Sequence, residues 1–215
     1  MIKVAIDEKG HPLGFVHLIP IESPISAMMG EDLWVIPCLT IDFQRVYQNI
    51  HGSGVGRALI QASEEWVKQV GGKGLAVYAF SGDMWFMPAA FFQKVGFTCI
   101  SSTLNIWVKK WANVKDPCPL AKKYDYRPIH GKIVIDYFWS PFCLTTCEEV
   151  LNVRAVASEF HGQVVLREYH SDNADTLKKF GLIRALFING KRVNWGYAAP
   201  KEELRKQLNT LLADS

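Results

Sequence analysis

Apolar and polar positions change rhythm along the chain, and each rhythm predicts an element. Ile2-Lys3-Val4-Ala5-Ile6 alternates like a strand, Asp7 to His11 is turn material, and Leu13 to Leu18 reads as a second strand. Pro20 to Asp32 holds two prolines with Ser, Met and Gly and reads as a loop. Leu33 to Ile41 is a nearly continuous apolar run, the pattern of a buried strand. Val55, Leu59, Ala62, Trp66 and Val70 then recur at helical spacing until Gly71-Gly72 stop the helix. Gly74 to Phe80 is a further strand. Pro88 suits the first turn of a helix that Gly96 ends, and Phe97–Ile100 with Leu104–Val108 suits an antiparallel pair.

From about Trp111 to His130 the texture changes to Asn, Asp, three prolines and mixed charge, with few periodic apolar positions; Cys118 stands between two of the prolines as an incidental thiol. The pattern then restarts. Lys132 to Phe138 is a strand, Trp139 to Cys143 turns into a helix running to about Phe160, Val164 to Tyr169 is a strand and Asp172 to Phe180 a short helix. Ala185–Ile188 and Arg192–Trp195 flank Asn189-Gly190, a strong hairpin dipeptide, and Pro200 opens a last helix through Leu212. The expected division is residues 1–112, a linker 113–130, and residues 131–215. No internal repeat or low-complexity segment is present.

The 215 residues suffice for one large or two small domains, and 49% hydrophobic with 21% charged residues is globular composition. A net charge of +3 without a dense Lys/Arg run gives no ground for nucleic-acid binding. No apolar run reaches the ~18 residues that cross a bilayer, and Lys3, Asp7, Glu8 and Lys9 interrupt any leader-like segment. Five cysteines form no disulfide framework. The expectation is a cytoplasmic chain with no membrane or nucleic-acid partner.

The chemistry concentrates at His51-Gly52-Ser53-Gly54-Val55-Gly56-Arg57, between the Leu33–Ile41 strand and the long helix. Glycines let backbone approach a ligand, and the unpaired N–H groups and dipole of a helix start attract anions, phosphate or pyrophosphate above all. The spacing is neither a P-loop nor a Rossmann turn. It resembles the coenzyme A loop of the GNAT acetyltransferases, Arg/Gln-x-x-Gly-x-Gly/Ala, with His51 at the first position and Gly54-Val55-Gly56 as the Gly-x-Gly. Ala89-Ala90-Phe91-Phe92-Gln93-Lys94-Val95-Gly96-Phe97 is similar to that family's next helix, which ends in an aromatic, a few residues and Gly-Phe. The restarted βαβαββα pattern resembles the thioredoxin/glutaredoxin fold, and Phe187-Ile188-Asn189-Gly190-Lys191 is similar to the glutaredoxin hairpin. The two halves together resemble the YoaP group of GNAT proteins.

The resemblance implies an α/β chain: a shortened GNAT acyl-CoA N-acyltransferase fold followed by a thioredoxin-like domain. The family's opening strand and helix pair have no counterpart before the first hairpin. The implied activity is transfer of acetyl from acetyl-CoA to an amine of a small molecule or peptide. The coenzyme-binding residues would be Leu39, Thr40, Ile41, His51, Gly52, Ser53, Gly54, Val55, Gly56 and Arg57, the backbone of Leu39–Ile41 polarising the thioester carbonyl. The acyl chain would enter between the Leu39–Ile41 and Leu75–Phe80 strands.

The family's usual acid is a tyrosine where this chain has Phe92, which donates no proton. Tyr78, Cys99 and Cys38 are stand-in candidates, but each reads more readily as a packed core residue, and His17 as a satisfied core or edge histidine. In the second half, Cys143 at a helix start is a candidate nucleophile. Yet Cys143 and Cys147 are spaced Cys-x-x-x-Cys, and Ile183-Arg184-Ala185 stands where redox members carry a cis-proline. Cys143, Cys147 and His170 lack a further ligand pair, so no metal is expected. A thiol-disulfide oxidoreductase using Cys143 and a non-catalytic acyl-CoA sensor remain open, as does a homodimer.

Overall fold

A computed structural model describes residues 1–41, 54–82, 87–195 and 199–213. The chain divides into two compact units, Met1–Pro119 and Leu120–Ser215. Unit 1 is built on a six-stranded sheet. Strands β1 (Ile2–Ile6) and β2 (Pro12–Pro20) form the expected hairpin, and the Asp7 carboxylate closes the turn by accepting from the Lys9 and His11 N–H groups. The stretch read as a loop contains a two-residue strand, β3 (Met28–Met29). β4 (Leu33–Ile41) follows, then helix α1 (Val55–Gln69), β5 (Gly74–Tyr78), helix α2 (Ala89–Lys94), β6 (Thr98–Ser101) and β7 (Ile106–Lys110). The sheet order is β1-β2-β4-β5-β7-β6, so β7 inserts between β5 and β6. β4 and β5 run parallel because α1 carries the chain back; the remaining pairs are antiparallel.

Alternation along the strands makes two cores. Val16, Leu18, Ile36, Leu75 and Val77 point to the face covered by α1 and α2, meeting Leu59, Ile60, Val67 and Phe92. Val35, Ala76 and Val108 point the other way, where Ile21 and Met28 cover them. The 113–130 stretch, expected as one linker, is divided between the units. Cys118–Pro119 forms strand β8 paired to Met28–Met29 in unit 1. Beyond it Tyr124 stacks on Phe187 at 3.8 Å and donates its hydroxyl to Asp136 in unit 2.

Unit 2 runs β9 (Ile133–Trp139), α3 (Leu144–Glu159), β10 (Val164–His170), α4 (Ala174–Phe180), β11 (Ala185–Ile188), β12 (Lys191–Val193) and α5 (Lys201–Ala213). This is the βαβαββα order of the sequence pattern. The sheet order is β10-β9-β11-β12, with β9 and β10 parallel and β11 antiparallel to both of its neighbours. Ile133, Ile135, Tyr137 and Trp139 pack towards α3 and α5, while Phe138 packs on the α4 side with Tyr124, Tyr169 and Phe180. The Asn189-Gly190 turn has positive φ at both residues, 47° and 77°, and the Asn189 side-chain oxygen accepts the Val134 N–H.

Candidate functional site

The C-terminal ends of β4 and β5 separate. Their parallel pairing runs Leu33↔Gly74, Trp34↔Leu75, Val35↔Ala76 and Ile36↔Val77, and there it stops. Proline 37 follows at once and has no N–H to give a ladder. Beyond it β4 stays paired on its other side, Cys38, Leu39, Thr40 and Ile41 lying opposite His17, Val16, Phe15 and Gly14 of β2. β5 meanwhile follows β7, with Tyr78 opposite Ile106. Leu39 to Ile41 therefore line one side of an opening and Tyr78 to Phe80 the other.

Helix α1 begins at the β4 side of that opening. A Cβ built on Gly56 would stand 2.8 Å from Ile41 Cδ1 and 3.1 Å from the Phe91 ring, so the first turn, the end of β4 and α2 converge closely there, and a larger residue must displace the Ile41 tip and the Phe91 ring. Gly54 is the N-cap with φ +82°, and a Cβ there meets nothing within 4 Å. It supplies no capping side chain, and no acidic residue sits in the first turn. The first intrahelical bond runs from the Ala58 N–H to the Gly54 carbonyl at 3.0 Å, leaving Val55, Gly56 and Arg57 as the donors at the helix start. The positive end of a fifteen-residue helix is thus left without an anionic side chain of its own. Of the expected coenzyme residues, the structure brings Leu39, Thr40, Ile41, Gly54, Val55, Gly56 and Arg57 to this end of the sheet; His51, Gly52 and Ser53 lie outside the described residues.

A cleft of about 350 Å³ continues from the first turn of α1, lined by Arg57, Gln61, Glu64, Lys94, Gly96 and Lys109 among others. Lys109 is held there by Glu64 and by the Val95 carbonyl. Arg57 and Lys94 are exposed on its rim and make it cationic. Sequence reading missed Lys94 and the Phe91–Gly56 contact. The signal for both was the Phe-Phe-Gln-Lys segment, whose four residues take successive faces of α2.

The proton-transfer candidates are differently placed. Tyr78 lies on the sheet face opposite α1, its hydroxyl donating to the Ala27 carbonyl at 3.1 Å, and burial pushes its pKa up to about 12. Cys38 is buried, 3.4 Å from the Thr40 hydroxyl. Cys99 is exposed on β6, the edge strand of the sheet. His17 is half-buried, and desolvation lowers its pKa. Phe92 is fully buried, its ring edge-on to Phe91 and Phe97.

In unit 2, Cys143 is the N-cap of α3 and Cys147 lies one turn on. Burial pushes the Cys147 thiol up, and its Sγ is 3.6 Å from the Pro141 carbonyl. Thr146 ties the turn down, donating its hydroxyl to the Ser140 and Cys143 carbonyls. Beneath it the buried Glu149 accepts from the Tyr137 hydroxyl at 2.7 Å and from Arg184 Nε at 3.1 Å. That carboxylate raises the Tyr137 hydroxyl's pKa further above what burial alone does. Among the described residues no peptide bond is cis, and no three His, Cys, Asp or Glu side chains group as metal ligands. No described helix is long and apolar enough to cross a membrane.

No family model matches the sequence, and no curated protein matches it. Similar solved structures are GNAT-family acetyltransferases. One, from Staphylococcus aureus, is 12% identical with a TM-score of 0.39, over 52% of this chain and 67% of that one. A second, from Escherichia coli in complex with CoA, is 18% identical with a TM-score of 0.36, over 51% and 57%. A third, from Brucella melitensis in complex with acetyl-CoA, is 15% identical with a TM-score of 0.35, over 52% and 61%. These likenesses cover about half of this chain and, in the second and third, less than two thirds of the other.

Proposed function

We propose that unit 1 is a GNAT-type acyltransferase domain that binds acetyl-CoA and transfers its acetyl group to an amine of a small molecule or peptide. The observation that carries this is the opening between β4 and β5 with the start of α1, capped by no described side chain, at its mouth. An extended thiol-bearing chain fits between two parting strands, while its pyrophosphate needs N–H donors and a positive dipole at the entrance. The donors are those of Val55, Gly56 and Arg57; His51, Gly52 and Ser53, expected from the sequence to join them, lie outside the described residues. The cleft rimmed by Arg57 and Lys94 suits the remaining phosphate of the coenzyme.

Acetyl-CoA supplies an activated acyl group. The chain's own backbone from Leu39 to Ile41, unpaired towards β5, offers N–H groups to the thioester oxygen as negative charge builds there. The nitrogen–carbon bond forms as the carbon–sulfur bond breaks; one proton leaves the amine and one is taken up by sulfur. Tyr78 holds its proton well above neutral pH and spends its hydroxyl on Ala27, so we assign it to structure. Acceleration then rests on holding two reactants in line.

We read unit 2 as a thioredoxin-like domain, on the sheet order β10-β9-β11-β12 with α3 and α5 on one face and α4 on the other, and the whole chain as resembling the YoaP group. The raised Cys147 thiol and Arg184 in place of a cis-proline weigh against thiol exchange there. The test is release of coenzyme A thiol from acetyl-CoA with a panel of primary amines and amino-terminal peptides. Turnover by the wild type and none by Gly54→Glu supports the assignment. Binding of acetyl-CoA without transfer to any acceptor replaces it with the sensor reading.

A further inference from the structure

We propose that β1 is a self-pairing edge through which two copies of this chain join their unit 1 sheets into one. Among the described residues β1 ends the sheet order, with β2 on one side only. The Met1 amino group donates to the Leu18 carbonyl at 3.0 Å, and the Leu18 N–H donates to the Met1 carbonyl at 2.8 Å. Met1–Leu18 is therefore a bonded pair, and antiparallel pairs alternate bonded and non-bonded. Ile2↔His17 and Val4↔Phe15 are the non-bonded ones, so the N–H and C=O groups of Ile2 and Val4 point away from β2, towards whatever lies beyond the edge.

The side chains repeat the message. Ile2, Val4 and Ile6 occupy one face of the strand and are 55%, 54% and 64% exposed, an apolar row that a solvated edge strand ordinarily breaks with charge. The single charge on the strand, Lys3, lies on the opposite face, over the Trp66 ring.

What singles out a second copy as the occupant is that the row is its own mirror. Ile-x-Val-x-Ile reads the same in both directions about Val4. An antiparallel partner related by a two-fold axis at Val4 sets Val4 on Val4 and Ile2 on Ile6. The outward groups of Val4 then bond reciprocally, and the apolar rows merge into one cluster. Lys3 falls opposite Ala5, so no like charges meet.

Sedimentation equilibrium of the full chain at tens of micromolar tests this. The expected mass is twice 24.3 kDa; a single-chain mass at every concentration overturns the proposal. Val4→Lys sets two ammonium groups face to face, and Val4→Pro removes the outward N–H without touching a bond to β2. Each is expected to sediment as a single chain with wild-type circular dichroism, and a doubled mass in both overturns the assignment to β1. Amide exchange on the wild type needs no substitution. The Ile2 and Val4 amides are expected to be protected when concentrated and to lose protection on dilution; free exchange of both in a double-mass species contradicts the pairing.

Discussion

Single positions in the first turn of α1 carry different burdens. At Gly56 an added side chain presses on the Ile41 tip and the Phe91 ring, so Gly56→Val must push both aside; we expect a loss of about 2 kcal/mol in denaturant unfolding and weakened acetyl-CoA binding. At Gly54 there is open space but left-handed backbone, so Gly54→Ala should cost about 1 kcal/mol and leave the cleft open. Tyr78→Phe removes one hydrogen bond to a loop carbonyl. It is expected to keep transfer activity within a small factor while losing about 1 kcal/mol of stability; abolished transfer with wild-type stability would return Tyr78 to the chemistry. The glycines were legible as letters, since alternating Gly before a helix period has few uses. The neighbours that crowd Gly56 were not, because Ile41 and Phe91 lie far from it in sequence.

Among elements, the second unit shows where local and distant forces meet. Arg154 of α3 holds the Glu168 carboxylate of β10 with two bonds of 2.8 and 2.7 Å, and Trp139 Nε1 of β9 adds a third at 3.0 Å. These bonds, the Arg154 pair foremost, keep Glu168 below the ordinary 4.5 despite its burial. A carboxyl lowered in the fold stabilises above its unfolded value and loses that contribution as pH falls through the folded one. The thermal midpoint is therefore expected to drop as pH falls below about 4.5, and Glu168→Gln to flatten part of that drop. With Arg154 half exposed, the pair is worth about 1 kcal/mol; an unchanged acid profile in Glu168→Gln would remove it from the account. Helix α4 is capped by the Asn173 side chain accepting the Thr176 N–H, so Asn173→Ala should cost about 1 kcal/mol. Long periodic elements such as α1, β4 and β9 announced themselves in sequence. Met28–Met29 and Cys118–Pro119 did not: two residues hold no period, and each strand exists because of the other. Nor did Tyr124, since a single aromatic anchor in a Pro-rich stretch reads like any other loop residue.

At the scale of the molecule, two units with separate cores should respond separately. Arg184→Met leaves the buried Glu149 with one partner fewer, a loss of about 2 kcal/mol, and its effect should add to that of Gly56→Val in the double variant because the two substitutions fall in different units. The sequence order of elements disclosed the two-part plan, whereas the parting of β4 from β5 had only Pro37 to signal it. That parting, with a helix start beside it that no described side chain caps, is the centre of the functional reading. Calorimetric titration with acetyl-CoA and with coenzyme A, wild type beside Gly54→Glu, tests it most directly. The account predicts saturable binding of both by the wild type and none by the variant, where a carboxylate meets the pyrophosphate at the helix start. Absence of binding by the folded wild type would contradict the acyltransferase and sensor readings together.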